Sequence, residues 1–119
     1  MAHLPITVAE SRLFTRKAEQ LLSPGERTEL IDFLACNSQA GDVIQGTGGV
    51  RKLRFGAQGK GKSGGVRVIY YYLEDDLPLY ALLVYGKGEK TELSGGERDA
   101  VAKMAASIKA AWKVKRKRQ

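Results

Sequence analysis

The chain has 119 residues and 43% of them are hydrophobic, which is enough for one compact core but not for two. No apolar run approaches the ~20 residues that a membrane-spanning helix needs, and no secretory signal is recognisable at the N-terminus. The single Cys36 cannot form an internal disulfide, so a cytoplasmic protein is expected. The sequence predicts one domain over residues 1–112 and a basic, disordered tail over residues 113–119.

The net charge of +7 is concentrated in two stretches of the chain. Residues 113–119 contain five bases and no acid, and residues 43–73 contain six bases and no acid. The remainder has nine bases against thirteen acids, so the rest of the surface is acidic. Localised positive charge favours a polyanionic partner whose binding weakens steeply with salt.

The first part of the chain is predicted to form one strand and two helices. Residues 6–8 are short and apolar, which favours a strand. Thr7 and Glu10 have the spacing of a capping box and precede apolar residues at helical intervals, so a helix is expected to begin there. Ser23 and Glu26 have the same spacing and predict a second helix.

The second part of the chain is predicted to form three antiparallel strands and a helix. After a polar loop over residues 37–49, three runs are rich in β-branched and aromatic residues. These runs cover residues 50–55, 66–73 and 79–85. A Ser94–Glu97 capping box then opens the last helix. The order β-α-α-β-β-β-α predicts an α+β fold, a small antiparallel-rich sheet with helices packed on one face.

Pleat alternation places three cations on one face of this sheet. Lys52 and Arg54 share the face opposite Leu53, and Arg67 shares the face opposite Val68. If helices cover the Leu53 side, the three cations point out of the open face, and no acid is interleaved with them. We expect this constellation to bind an anion.

Residues 56–63 match the phosphate-loop pattern GxxxxGK[ST], but their context argues against a nucleotide site. A nucleotide loop leads from a strand into a helix whose N-terminus holds the phosphates. Here the next run is a strand, so we expect a hairpin loop and no nucleotide cofactor. Lys60 and Lys62 either touch an RNA backbone or belong to a flexible basic loop.

The tyrosines are predicted to have different roles. Tyr70 and Tyr72 are expected in the core, with their hydroxyls bonded to a partner. Tyr71 shares the face of Arg67, so it packs in the core or stacks on a base, and the sequence leaves both open. Tyr85 ends a strand before a loop, where active groups are common, or it packs at the sheet edge.

One histidine and one cysteine cannot build a zinc site, so no metal and no cofactor are expected.

Three strings resemble the HigB-like branch of the RelE superfamily of toxins from bacterial toxin–antitoxin pairs. They are GDVIQGTGGVRKLRF, GKGKSGGVRVIYYY and LLVYGKGEKTEL, and the element order over residues 6–112 is also similar to that family. The resemblance implies an endoribonuclease that cuts mRNA on the ribosome without a metal, by attack of the ribose 2′-hydroxyl on the adjacent phosphorus. It also implies a cognate antitoxin as partner, expected to be a helix-turn-helix protein.

The resemblance implies a set of site residues. The catalytic candidates are Lys52, Arg54, Arg67, Lys87 and Tyr85, and the RNA-binding candidates are Arg51, Lys60, Lys62, Tyr71 and Lys90. Typical members have a further arginine and then a tyrosine after the last strand, whereas residues 88–94 here contain Lys90 and neither of these. Tyr85 or Tyr71 then serves instead, or no tyrosine is needed. Because clustered cations disfavour one another's charge, one lysine can act as general base, and Lys52 is our candidate.

Two other readings of the basic sheet remain open at this point. A non-catalytic RNA-binding module would present the same face and leave no cut product. An interaction protein would use it to bind an acidic partner, as an antitoxin also does.

Overall fold

The computed structural model describes residues 5–56, 65–86, 88–89 and 92–117. These residues form three helices and a five-stranded sheet, which confirms the predicted α+β class. In chain order the elements are β1 (Val8–Glu10), α1 (Arg12–Leu21), α2 (Pro24–Cys36), β2 (Asp42–Val43), β3 (Val50–Phe55), β4 (Val66–Tyr71), β5 (Leu79–Gly86) and α3 (Gly95–Lys117). The strand order is β1-β5-β4-β3-β2, with β1 parallel to β5 and the other neighbours antiparallel.

Two of the three predicted helix caps are confirmed. The Ser23 N–H donates to Glu26 Oε1 at 2.8 Å, and the Ser94 N–H donates to Glu97 Oε1 at 2.9 Å. The predicted Thr7 cap is wrong, because residues 8–10 are extended and pair with β5. The first helix therefore begins later, where the Ser11 Oγ accepts the N–H of Phe14 at 3.0 Å.

The sheet is covered by helices on both faces. On one face α1 and α2 pack over β4 through Val68 and Tyr70. On the other face α3 packs over Ile69 and Tyr71. The structure therefore differs from our expectation that the helices pack on one face of the sheet. The reason is that the second face of β4 is also apolar at these positions, and the stripe of α3 that contains Val101 buries them.

A β-bulge in β5 changes which side chains share a face. Ile69 pairs with Leu83 but Tyr70 pairs with Ala81, so Leu82 is an extra residue in β5. Leu82 and Leu83 both belong to the cluster beneath α3. Beyond the bulge the alternation is inverted, and Tyr85 lies on the α3 face instead of the α1/α2 face.

The predicted polar loop contains the short strand β2, which the side chains of Tyr70 and Arg51 hold in place through the adjacent Gly41. The Tyr70 hydroxyl accepts the N–H of Gly41 at 2.8 Å, and Arg51 Nη1 donates to the Gly41 carbonyl at 2.7 Å. The Tyr72 hydroxyl donates to Asp75 Oδ1 at 2.6 Å. These contacts confirm that the Tyr70 and Tyr72 hydroxyls have partners.

The C-terminal helix continues past the predicted domain boundary. Trp112 Nε1 donates to the Tyr80 hydroxyl at 3.0 Å, and this bond ties α3 to the start of β5. The helix then runs on to Lys117, which differs from the disordered tail expected from residue 113. In the described part of the chain, no helix has the length and apolar character required to cross a membrane.

Candidate functional site

Strand register aligns three predicted site residues across the sheet. Arg54 of β3 pairs with Arg67 of β4, and Arg67 pairs with Tyr85 of β5. Directly opposite residues have Cβ atoms roughly 4.5–5.5 Å apart and side chains on the same face. We call Arg54, Arg67 and Tyr85 the cross-strand row. It lies on the face of Ile69, as pleat alternation predicted for both arginines.

Arg67 is the centre of the row and has an unusual environment. Its side chain is half-buried, and its Nη1 atom is buried with no hydrogen-bond partner among the described residues. The like charge of Arg54 lies directly across from it. A buried guanidinium nitrogen without an acceptor is costly, and opposed like charges add to that cost. An anion bound between the two arginines would remove both penalties.

Tyr85 is held in its neutral form. It is only 3% exposed, and this burial raises the pKa of its hydroxyl. The positive charge of Arg67 lowers that pKa, whereas Glu97 and Glu92 raise it further. The net direction is upward, so at neutral pH the hydroxyl keeps its proton and can donate it.

Lys52 occupies the neighbouring rung of the sheet. It pairs with Ile69 on one side and with Asp42 on the other. No acid is interleaved with the cations in residues 43–73, but Asp42, just outside that span, lies opposite Lys52. The cause is the unpredicted strand β2, which aligns Asp42 with Lys52. Lys52 therefore has an interaction within the protein.

Of the other predicted contacts, Arg51 lies on the opposite face, Tyr71 is buried on this face, and four fall outside the described residues. Arg51 belongs to the opposite face and donates to the Gly41 carbonyl, which gives it a part in holding the loop. Tyr71 is 2% exposed beneath α3, so of its two predicted roles the structure shows packing in the core. The remaining four predicted site residues fall outside the described ranges; they are Lys60, Lys62, Lys87 and Lys90.

Comparison with known protein families gives a match over most of the chain. The family described as the RelE toxin of RelE/RelB toxin–antitoxin systems matches residues 10–117. The chain belongs to the RelE toxin family. The match covers every strand of the cross-strand row and all three helices. Family membership implies that this RelE toxin pairs with a cognate antitoxin.

The sequence did not indicate which acids lie near Tyr85. Glu92 and Glu97 both act electrostatically on it. The Ser94–Glu97 capping box correctly marked the start of α3. It carried no information on what that helix start would approach, because this depends on how α3 packs.

The cross-strand row of the RelE toxin runs from exposed Arg54 through half-buried Arg67 to buried Tyr85. A cavity of about 530 Å³ is lined by α1 and α2 residues, including Leu22, Arg27 and Ile31, and none of the predicted site residues contributes to it. Within the described ranges, no three His, Cys, Asp or Glu side chains are grouped to hold a metal ion. A basic face outside that cavity suits an extended polyanion better than an enclosed small molecule.

Proposed function

We propose that this RelE toxin is an mRNA endoribonuclease of the HigB-like branch, which cuts messages in the cytoplasm during translation and needs no metal. The observation that carries the proposal is the buried Nη1 of Arg67, which has no hydrogen-bond partner among the described residues and lies between Arg54 and Tyr85 in the cross-strand row. The two arginines supply hydrogen-bond donors and positive charge, and a scissile phosphate would accept from them.

In the proposed reaction the ribose 2′-hydroxyl attacks the adjacent phosphorus. The 2′-oxygen to phosphorus bond forms, and the bond from phosphorus to the 5′-oxygen breaks. Arg67, with Arg54 beside it, binds the nonbridging oxygens and stabilises the charge that grows on them in the pentavalent transition state. The products are a 2′,3′-cyclic phosphate and a new 5′-hydroxyl.

Two protons move in this reaction. We assign Lys52 as the base that accepts the 2′-hydroxyl proton, because it lies one rung from Arg54 on the same face. We assign Tyr85 as the donor to the departing 5′-oxygen, since its raised pKa keeps the proton on the hydroxyl at neutral pH. Arg67 then stands beside the phenolate that remains.

The partners follow from the same proposal. The substrate is mRNA on the ribosome, and the antitoxin, proposed to be a helix-turn-helix protein, inhibits the toxin by binding it. The charge distribution supports a nucleic-acid substrate, because the arginines of the row come from the span 43–73, which has six bases and no acid. Membership of the RelE family supports the ribonuclease activity.

The experiment is cleavage of one defined message, with and without translating ribosomes. New 5′ ends are mapped, and the chemical nature of both ends is determined. We expect cuts only with ribosomes, and ends that carry the cyclic phosphate and 5′-hydroxyl of metal-independent 2′-hydroxyl attack. Cuts on free RNA would support the ribonuclease activity but contradict its dependence on the ribosome. RNA binding with no cut under any condition would contradict the nuclease and favour a binding module.

A further inference from the structure

Glu89 makes three contacts around the end of β5. Its Oε1 accepts the N–H of Gly86 at 2.8 Å, and its own N–H donates to the Gly86 carbonyl at 3.1 Å. Its Oε2 lies 2.9 Å from the Nζ of Lys17 on α1. Because the Gly86 nitrogen belongs to the peptide that follows Tyr85, the carboxylate fixes the backbone next to the cross-strand row.

The same helix also holds β5 on the other side of Tyr85. The Ser11 N–H donates to the Ala81 carbonyl at 2.9 Å, and the Ser11 hydroxyl donates to the Leu82 carbonyl at 2.6 Å. These carbonyls flank the bulge that turns Tyr85 onto the α3 face. Helix α1 therefore attaches to β5 before Tyr85, through Ser11, and after it, through Lys17 and Glu89.

We propose that Glu89, backed by Lys17, is a positioning residue that holds Tyr85 in line with Arg67 for cleavage. This inference rests on the proposed ribonuclease function. Neither side chain belongs to the face that carries the row's phosphate donors, and Lys17 is on the helix behind the sheet. They act on Tyr85 through the backbone of Gly86. Even a small displacement of a reacting group from its productive position slows the reaction.

Stability alone does not account for this arrangement. The side chains of Lys17 and Glu89 are 37% and 41% exposed, so solvent screens the ion pair and it adds little to the free energy of folding. The space around Gly86 is also close-fitting: a Cβ there would lie 3.4 Å from Glu89 Oε1 and 3.5 Å from Leu21 Cδ2. These contacts fix the position of the Gly86 backbone, and they contribute little to the free energy of folding.

The test separates the hydrogen bond from the ion pair. Glu89→Ala removes both, Glu89→Gln keeps an acceptor for Gly86, and Lys17→Met removes only the ion pair. The control is Glu29→Ala, which removes an exposed acid of α2. For each variant, the single-turnover cleavage rate, the RNA dissociation constant and Tm are measured.

We expect Glu89→Ala to cleave about tenfold more slowly, equivalent to about 1.4 kcal/mol in the barrier. Its RNA dissociation constant and Tm should match those of Glu29→Ala, because a positioning role acts on the chemical step only. Glu89→Gln should recover most of the rate, and Lys17→Met should lose less than Glu89→Ala.

Other results would overturn the inference. Cleavage by Glu89→Ala within twofold of wild type would do so, as would a loss confined to RNA affinity. If Glu89→Ala does not fold, Lys17→Met decides, and an unchanged rate in that variant counts against the inference. A wild-type protein that never cuts RNA would overturn the proposed function and this inference together, whereas an active wild type with unaffected variants overturns the inference alone.

Discussion

Arg67 illustrates at the residue scale how a site can oppose stability. Its Nη1 is buried without a partner among the described residues, and Arg54 lies directly opposite. Without a bound anion these features cost free energy of folding. A side chain that keeps the apolar stem but removes the charged group should relieve that cost.

We therefore predict that Arg67→Met leaves Tm unchanged or raises it. The measurement is thermal unfolding of the RNA-free protein, with Arg51→Met as comparison. Arg51 donates to the Gly41 carbonyl, so its replacement should lower stability by about 1–3 kcal/mol. A large drop in Tm for Arg67→Met would mean that its guanidinium is stabilised by contacts we have not identified.

Tyr85 gives a second prediction at this scale. Since burial raises the pKa of its hydroxyl, Tyr85 keeps its proton through neutral pH and acts as a donor. Tyr85→Phe should slow cleavage by about 10²-fold while RNA affinity is preserved. A cleavage rate equal to that of wild type across pH 6–9 would remove Tyr85 from the mechanism.

The sequence predicted part of this site for a simple reason. Alternation within one strand is a local property, so Lys52, Arg54 and Arg67 were correctly assigned to a common face. Asp42 and Glu97 were not recognised as neighbours of the site. Their proximity depends on the pairing of β2 and the packing of α3, which are tertiary features.

At the scale of elements, β2 depends on a glycine. A Cβ on Gly41 would lie 2.9 Å from the Lys52 carbonyl and 2.9 Å from the Tyr70 hydroxyl. Gly41→Ala should destabilise the protein by about 1–3 kcal/mol, as overpacking does. Gly25 in α2 has no atom within 4 Å of such a Cβ, so Gly25→Ala should be neutral or stabilising by up to about 1 kcal/mol. Urea unfolding measures both, and equal effects would contradict the account of β2.

The bulge in β5 shows where element-level prediction stops. Strict alternation from Leu79 would put Tyr85 on the face of α1 and α2. The extra residue at Leu82 reverses this, and no turn or glycine in residues 79–85 indicated it. Its position is held by Ser11, a residue 71 positions away in sequence from Leu82. Capping boxes, in contrast, are local, which is why those at Ser23 and Ser94 were predicted correctly.

At the scale of the whole molecule, helices pack on both faces of the sheet. The element order predicted the α+β class correctly, but the charged residues of β3 suggested a fully open face. In the structure α3 covers the Ile69–Tyr71 end of that face, whereas Arg54 remains exposed. The charged residues of β3 thus indicated the part of the face that is uncovered, but they did not predict that α3 packs on the rest of it.

Burial of tyrosines in this core predicts alkaline sensitivity. Burial raises the pKa of Tyr70 and Tyr71 above the ordinary 10.0. The folded state therefore holds these protons more tightly than the unfolded state, so stability is unaffected below pH 10 and falls as pH rises above it. Urea unfolding between pH 8 and 11 measures this loss. Tyr71→Phe should reduce its slope, and an unchanged slope would contradict the assignment.

The central claim is that the cross-strand row carries out phosphoryl transfer on RNA, and the most direct test is single-turnover cleavage by Arg67→Met. The matched control is Arg16→Met, which removes an exposed arginine from α1, on the other side of the sheet. We predict that Arg67→Met cleaves at least about 10²-fold more slowly than wild type, while Arg16→Met and wild type cleave equally. Wild-type cleavage by a folded Arg67→Met protein would contradict the claim.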